Sequence, residues 1–320
     1  MFGEILHNSD LAESAVPLDI ITEFLNKSGA KLNRRTDRVA FSTPVGETTL
    51  LVDSKKITTV DGAEISDIVT ISTDLPDTFN FITDEQIAVL NAMSALSALM
   101  RDTKRGRLCI GSRLTSFRHD NDTWRLYTPL VCTAALLQAD LLIKIIRNTP
   151  DLKTKEGFAC LFQSEEPSKW NEQEFERAAA VFERLGIFAN AGSQGLTAEF
   201  PWGVGASSAT FGHETSLLTL QANMPHPVLG HGLFYKLELP VQLDESALFD
   251  LCNRVNLFEL YAVDAPPFFG AWCCNLNAGH LAHVGFWPNV LYLSGTALNI
   301  AVWMIHRSKI VHSLIEDEMV

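Results

Sequence analysis

The chain has 320 residues, 47% hydrophobic and 20% charged, which is room for two ordinary globular domains and a globular composition, not that of a disordered chain. A net charge of −13 argues against binding a nucleic-acid backbone, which needs a clustered positive face. Met1-Phe2-Gly3-Glu4 has no basic stretch leading into an apolar one, and the six cysteines form no CxxC framework, so a reduced, cytoplasmic protein is expected.

In chain order, Ile20, Ile21, Phe24 and Leu25 recur at helical spacing after Pro17, and Gly29 supplies a stop. Residues 38–42 and 48–52 flank the turn Thr43-Pro44-Val45-Gly46 and predict a strand pair. A short strand over 56–60 and a β-branched strand over 67–72 follow. Thr83 with Gln86 predicts a capping box, and the helix after it would bury Val89, Met93, Leu96, Leu99 and Met100. Two strands, 107–112 and 123–127, would join through His119-Asp120-Asn121-Asp122, and Thr128-Pro129 would open another helix.

Residues 151–167 read as a docked connector, since Phe158, Leu161 and Phe162 stand among its Pro and Gly. Beyond it, Trp170 leads into a helix with Phe175, Ala178, Ala179, Phe182 and Leu185 on one face. Strands are expected over 196–200, 216–220 and 232–239. Asp244 would cap a helix burying Leu248, Leu251, Val255 and Phe258. A hairpin of 268–276 and 280–287 turns at Asn277-Ala278-Gly279, and Pro288 would open the last helix.

The two halves follow one plan. Gly29 and Gly186, Asp84 and Asp244, and Pro129 and Pro288 are separated by 157, 160 and 159 residues. The expected fold is therefore α+β: two copies of an α-β-β-β-α-β-β-α unit, each an antiparallel sheet with helices packed on one face. The units would span 1–150 and 168–320.

No catalytic constellation stands out. Cys273 and Cys274 beside His280 and His283 invite a metal reading, but sequential strand residues point to opposite faces and zinc wants four convergent ligands. His213, His226 and His231 lie among glycine and proline with no nucleophile or carboxylate nearby in sequence, and Gly203-Val204-Gly205 lacks the setting of a phosphate cradle. Catalytic residues, metal and cofactor are accordingly expected to be none; the alternative is a metal-dependent enzyme using the loop histidines.

The densest aromatic group is Phe268, Phe269 and Trp272 with Phe286 and Trp287. Core packing explains it, because aromatics favour strands. The functional alternative is an apolar face for a partner peptide, with Phe268, Phe269, Trp272 and Trp287 as its partner-binding residues. Alternation sends Phe268 and Trp272 one way and Phe269 the other, so only part of the group would be exposed.

Residues 286–305 contain no charge and approach the length of a bilayer crossing, which raises a tail anchor as a further alternative. They also carry Pro288, Asn289, Ser294, Gly295, Thr296 and Asn299, and the matching first-half segment contains Asp140 and Lys144. A buried globular helix, and no membrane association, is the expectation.

The doubled order, with Leu251-Cys252-Asn253-Arg254-Val255-Asn256, Pro266-Pro267-Phe268-Phe269-Gly270-Ala271-Trp272 and Gly285-Phe286-Trp287-Pro288-Asn289-Val290-Leu291-Tyr292, resembles the YbjN-like and class I type III secretion chaperone-like domains. The motif likeness covers mainly residues 232–308; in the first half Arg125-Leu126-Tyr127-Thr128-Pro129 keeps the strand-proline-helix junction. The resemblance implies a non-enzymatic bacterial protein that binds an extended protein or peptide segment. Such chaperones usually pair as dimers, so two linked copies would form a pseudo-dimer within one chain, acting as a monomer or a homodimer.

Overall fold

A computed structural model describes residues 17–27, 31–43, 46–53, 57–58, 64–94, 96–117, 142, 170–202, 215–226, 229–241, 243–262, 267–275 and 280–319. Two antiparallel sheets and five helices make an α+β fold over these residues. The expected strand 123–127, all but Leu142 of the helix opening at Pro129, the connector 151–167, His213 and the stretch 203–205 lie outside them.

Helix α1 (Pro17–Lys27) buries Leu18, Ile21 and Leu25 and leads into the first sheet. Its strands are β1 (Leu32–Arg34), β2 (Arg38–Thr43), β3 (Gly46–Asp53), β4 (Ile57–Thr58), β5 (Glu64–Asp74), β6 (Ala98–Asp102) and β7 (Arg107–Phe117). They are ordered β1-β2-β3-β5-β7-β6, with β4 paired to β5 off this path. Thr48, Leu50 and Val52 of β3 alternate inward, as a sheet with one covered face requires. Helix α2 (Asp84–Asn91) lies between β5 and β6 in sequence. Its capping box forms as the residues predict: Gln86 N donates to Thr83 Oγ1 at 3.2 Å, and Thr83 N to Gln86 Oε1 at 2.9 Å.

In the second half, Asn171 caps α3 (Glu172–Arg184), and Gly186 at φ +74 ends it in the left-handed conformation that glycine adopts most readily. The second sheet contains β8 (Phe188–Gly192), β9 (Gly195–Pro201), β10 (Thr215–His226), β11 (Gly230–Leu239), β12 (Ala271–Asn275) and β13 (His280–Pro288). Its order is β8-β9-β10-β11-β13-β12. Helix α4 (Glu245–Tyr261), capped by Asp244, precedes β12, and α5 (Thr296–Met319) follows β13. One apolar cluster spans both halves, joining Leu18, Val39 and Leu50 to Phe175, Leu237, Trp272 and Met304.

Several local expectations are corrected. Four strands on the main path of each sheet, not three, precede the middle helix of each half, with the short β4 a fifth, off that path, in the first; β1 and β8 carry no strand signal of their own. Leu-Asn-Arg is too short to alternate, and Phe-Ala-Asn-Ala-Gly has no β-branched residue; their neighbours β2 and β9 make them strands. Leu99 and Met100 sit on β6, not on a helical stripe, since α2 stops at Asn91 and β7 takes up the next segment. The buried face of α2 is instead Ile87, Ala88 and Asn91, while Val89 and Met93 are exposed. Leu185 and Phe258 likewise face outward. Pro288 ends β13 and leads into a short 3-10 turn (Asn289–Leu291), so the last helix opens at Thr296, after Gly295 turns the chain at φ +88. Among the described residues, no helix is long and apolar enough to cross a membrane.

Candidate functional site

The two sheets meet through their edge strands β6 and β12, and helices α2 and α4 pack against each other and against both strands. An edge strand presents backbone N–H and C=O groups that must be satisfied. Here asparagine side chains do it. Asn91 of α2 accepts from Leu99 N at 2.8 Å and donates to Leu99 O at 2.9 Å. Asn256 of α4 does the same to Trp272, at 2.8 and 2.9 Å. Asn253, also on α4, crosses to the other sheet and holds Arg101, accepting from its N at 2.7 Å and donating to its O at 3.1 Å. Each carboxamide has one acceptor and one donor group, so it stands in for a peptide of a neighbouring strand. Asn91 also reaches Trp272 O at 3.4 Å. Two backbone bonds between Arg113 of β7 and Phe268, at 3.1 and 2.8 Å, complete the joint.

Behind the joint is a buried charged group. Arg307 of α5 places Nε 2.8 and 3.1 Å from the two carboxylate oxygens of Glu259 on α4. Glu259 also accepts from Trp272 Nε1 at 2.6 Å, and Arg307 donates to Pro267 O at 2.6 Å. His283 of β13 lies against the rings of Tyr235, Phe268 and Trp272, and its two ring nitrogens have no hydrogen-bond partner among the described residues. Burial, reinforced by the Arg307 charge, holds its proton affinity well below the usual imidazole range. Tyr235 donates to Phe269 O at 2.9 Å, and burial raises its phenol. Gly285 must be small, because a Cβ there would lie 2.3 Å from the Tyr235 ring. This set is packed and closed; it orients α4, α5 and β12 and exposes no reactive group.

Phe268, Phe269, Trp272 and Trp287 are all buried, at 0%, 4%, 0% and 3% exposure. The aromatic group is therefore interior in this conformation, where a partner peptide cannot touch it. Trp287 donates to Leu291 O at 2.8 Å and meets Phe269 edge-on at 5.3 Å between ring centroids. Strand alternation does not run from Trp272 back to Phe268, because β12 starts only at Ala271 and Gly270 at φ +99 breaks the strand after Phe269.

The cysteine–histidine group does not converge. Cys273 pairs with Ala282 and His283 with Trp272, and burial pushes the Cys273 thiol up to about 12. His280 pairs with Asn275 at the start of β13. Among the described residues, no three His, Cys, Asp or Glu side chains are placed to hold a metal ion. His226 is half-buried, accepts from Leu229 N at 3.1 Å, and is pulled down to about 4 by desolvation; His231 is exposed.

Sequence reasoning missed the asparagines and the Glu259–Arg307 pair. A signal was present: Asn253, Asn256 and Glu259 recur every third residue along α4, a polar row on a face whose neighbours are apolar. It also missed the outer edge of the second sheet. Strand β8 pairs with β9 only among the described strands, and Phe188 and Leu185 beside it are 75% and 60% exposed.

Comparison with protein-family models, with curated proteins and with solved structures finds no match for this chain.

Proposed function

We propose that the chain is two chaperone-like α+β units of the YbjN-like kind, residues 1–150 and 168–320, paired within one molecule, and that it binds a protein or peptide without catalysing a reaction. The observation that carries this reading is the matched order of the sheets. In each, a helix, four strands on the sheet's main path, a second helix and a hairpin follow one another, and the hairpin's first strand is the inner edge; the first half adds the short β4 off that path. Helices α2 and α4 hold matching places and pack together, which is the arrangement two paired copies would have.

The binding element in this reading is the outer edge at β8. Among the described strands nothing pairs with its outer side, which leaves its backbone for strand addition, and Phe188 and Leu185 supply apolar anchors there. A net charge of −13 favours a basic segment as the added strand. The setting is cytoplasmic.

Affinity purification from native lysate, with the wild-type chain beside Phe188→Asp, tests this. The expected result is a stoichiometric partner on the wild type and its loss on the variant, with unchanged circular dichroism in both. Equal recovery on both chains, or none above background on either, would remove the proposal.

A further inference from the structure

Cys252 of α4 and Cys274 of β12 face each other with 3.2 Å between sulfurs, both buried at 2% and 6% exposure. Neither belongs to the asparagine joint, yet both flank it: Cys252 precedes Asn253, and Cys274 stands two residues after Trp272. We infer that Cys252 and Cys274 form an oxidisable dithiol that closes to a disulfide under peroxide and so ties α4 to the inner edge of the second sheet. Disulfide geometry is reached by a small approach of two side chains that already point at one another.

The pair is chemically unequal, and the inequality selects the attacking sulfur. The hydrogen bond shared with Cys252 lowers the Cys274 thiol against the effect of its burial, while the same bond, with burial, raises Cys252. Two other thiols are lifted to about 12, foremost by burial: Cys109 and Cys273. Cys274 is also the more accessible member of the pair. Its thiolate attacks one peroxide oxygen, the O–O bond breaks, and the departing hydroxide takes the proton that the Cys274 thiol released, so a sulfenic acid and water result. The Cys252 sulfur then attacks the Cys274 sulfur, the S–O bond breaks, and the departing hydroxide leaves as water with the Cys252 proton. In balance, two thiols and one hydrogen peroxide give one disulfide and two waters.

Peptide mapping of the full-length protein after brief hydrogen peroxide treatment and alkylation tests the inference. The expected product is a linked peptide joining Cys252 and Cys274, lighter by two hydrogens than the reduced pair, with Cys109 and Cys273 still alkylated. The oxidised protein should melt several degrees higher, since the bridge restricts the unfolded chain. In Cys252→Ala, with no resolving thiol, a dimedone adduct should collect on Cys274. Absence of the linked peptide from folded wild type, under peroxide that does oxidise the same protein in urea, overturns the inference. So does a link from Cys274 to any other cysteine, or a dimedone adduct that prefers Cys109 or Cys273.

Discussion

Glu259 and Arg307 form an ion pair sealed from solvent: their side chains are 0% and 1% exposed, and the guanidinium Nε lies 2.8 Å from one carboxylate oxygen. Helices α4 and α5 are clamped across β12 by it, because Glu259 also takes the Trp272 indole N–H. A pair of this kind costs desolvation of both charges, so its presence specifies an arrangement more than it adds stability.

Removing one partner should therefore be far worse than removing both. Glu259→Ala leaves Arg307 charged, buried and uncompensated, and leaves the Trp272 N–H without its acceptor; a loss of about 3–5 kcal/mol is expected. The double change Glu259→Leu with Arg307→Met should recover a large part of that loss. Urea unfolding of the three chains measures it, and a double variant no more stable than Glu259→Ala would contradict the account.

His283 makes stability fall with acid. Its proton affinity is held well below the ordinary 6.5 in the folded chain, so the unfolded chain takes up a proton first as pH drops. The contribution is fully present above that ordinary value and declines below it, by about 1.4 kcal/mol per pH unit, until the folded-state value is reached. His226 adds a similar decline between 6.5 and about 4. Replacement His283→Leu should make the loss of stability below pH 6.5 smaller than in the wild type. Denaturant melts across this range check it, and identical pH slopes for both chains would refute it.

Asn253 connects residues 152 positions apart by holding both backbone groups of Arg101. Asn253→Ala would strand an N–H and a C=O at the joint, at about 1–3 kcal/mol for each one left unsatisfied. Amide hydrogen exchange should accelerate at Arg101 well beyond the global loss of stability, while Trp272, held by Asn256, keeps its protection. Uniform acceleration over both strands would place the effect elsewhere.

What could be read from sequence was local chemistry. Thr83 with Gln86, Asp244 and Gly186 act where their side chains or backbone freedom indicate, since each answers to residues within a turn of itself. The strands β5, β7, β10, β11 and β13 carried enough β-branched or alternating residues to show. Strands β1 and β8 did not, because their neighbours in the sheet decide them. Leu99 and Met100 misled for the same reason: they keep helical spacing by accident, and pairing with β7 overrides it. At the joint, nothing near Asn91 in the chain announces Trp272, which lies 181 residues away. The aromatic group was legible both as a cluster and as core packing, since aromatics favour strands, and its members are buried; the residues that cover it were not, because they come from elements distant in sequence.

The asparagine clasps have a further consequence for what the chain can become. A strand rim whose peptide groups are already occupied by carboxamides offers no template to a stray segment, so β6 and β12 are sealed where they are clasped. Among the described strands, extension of either sheet is left to the far rims, β1 and β8.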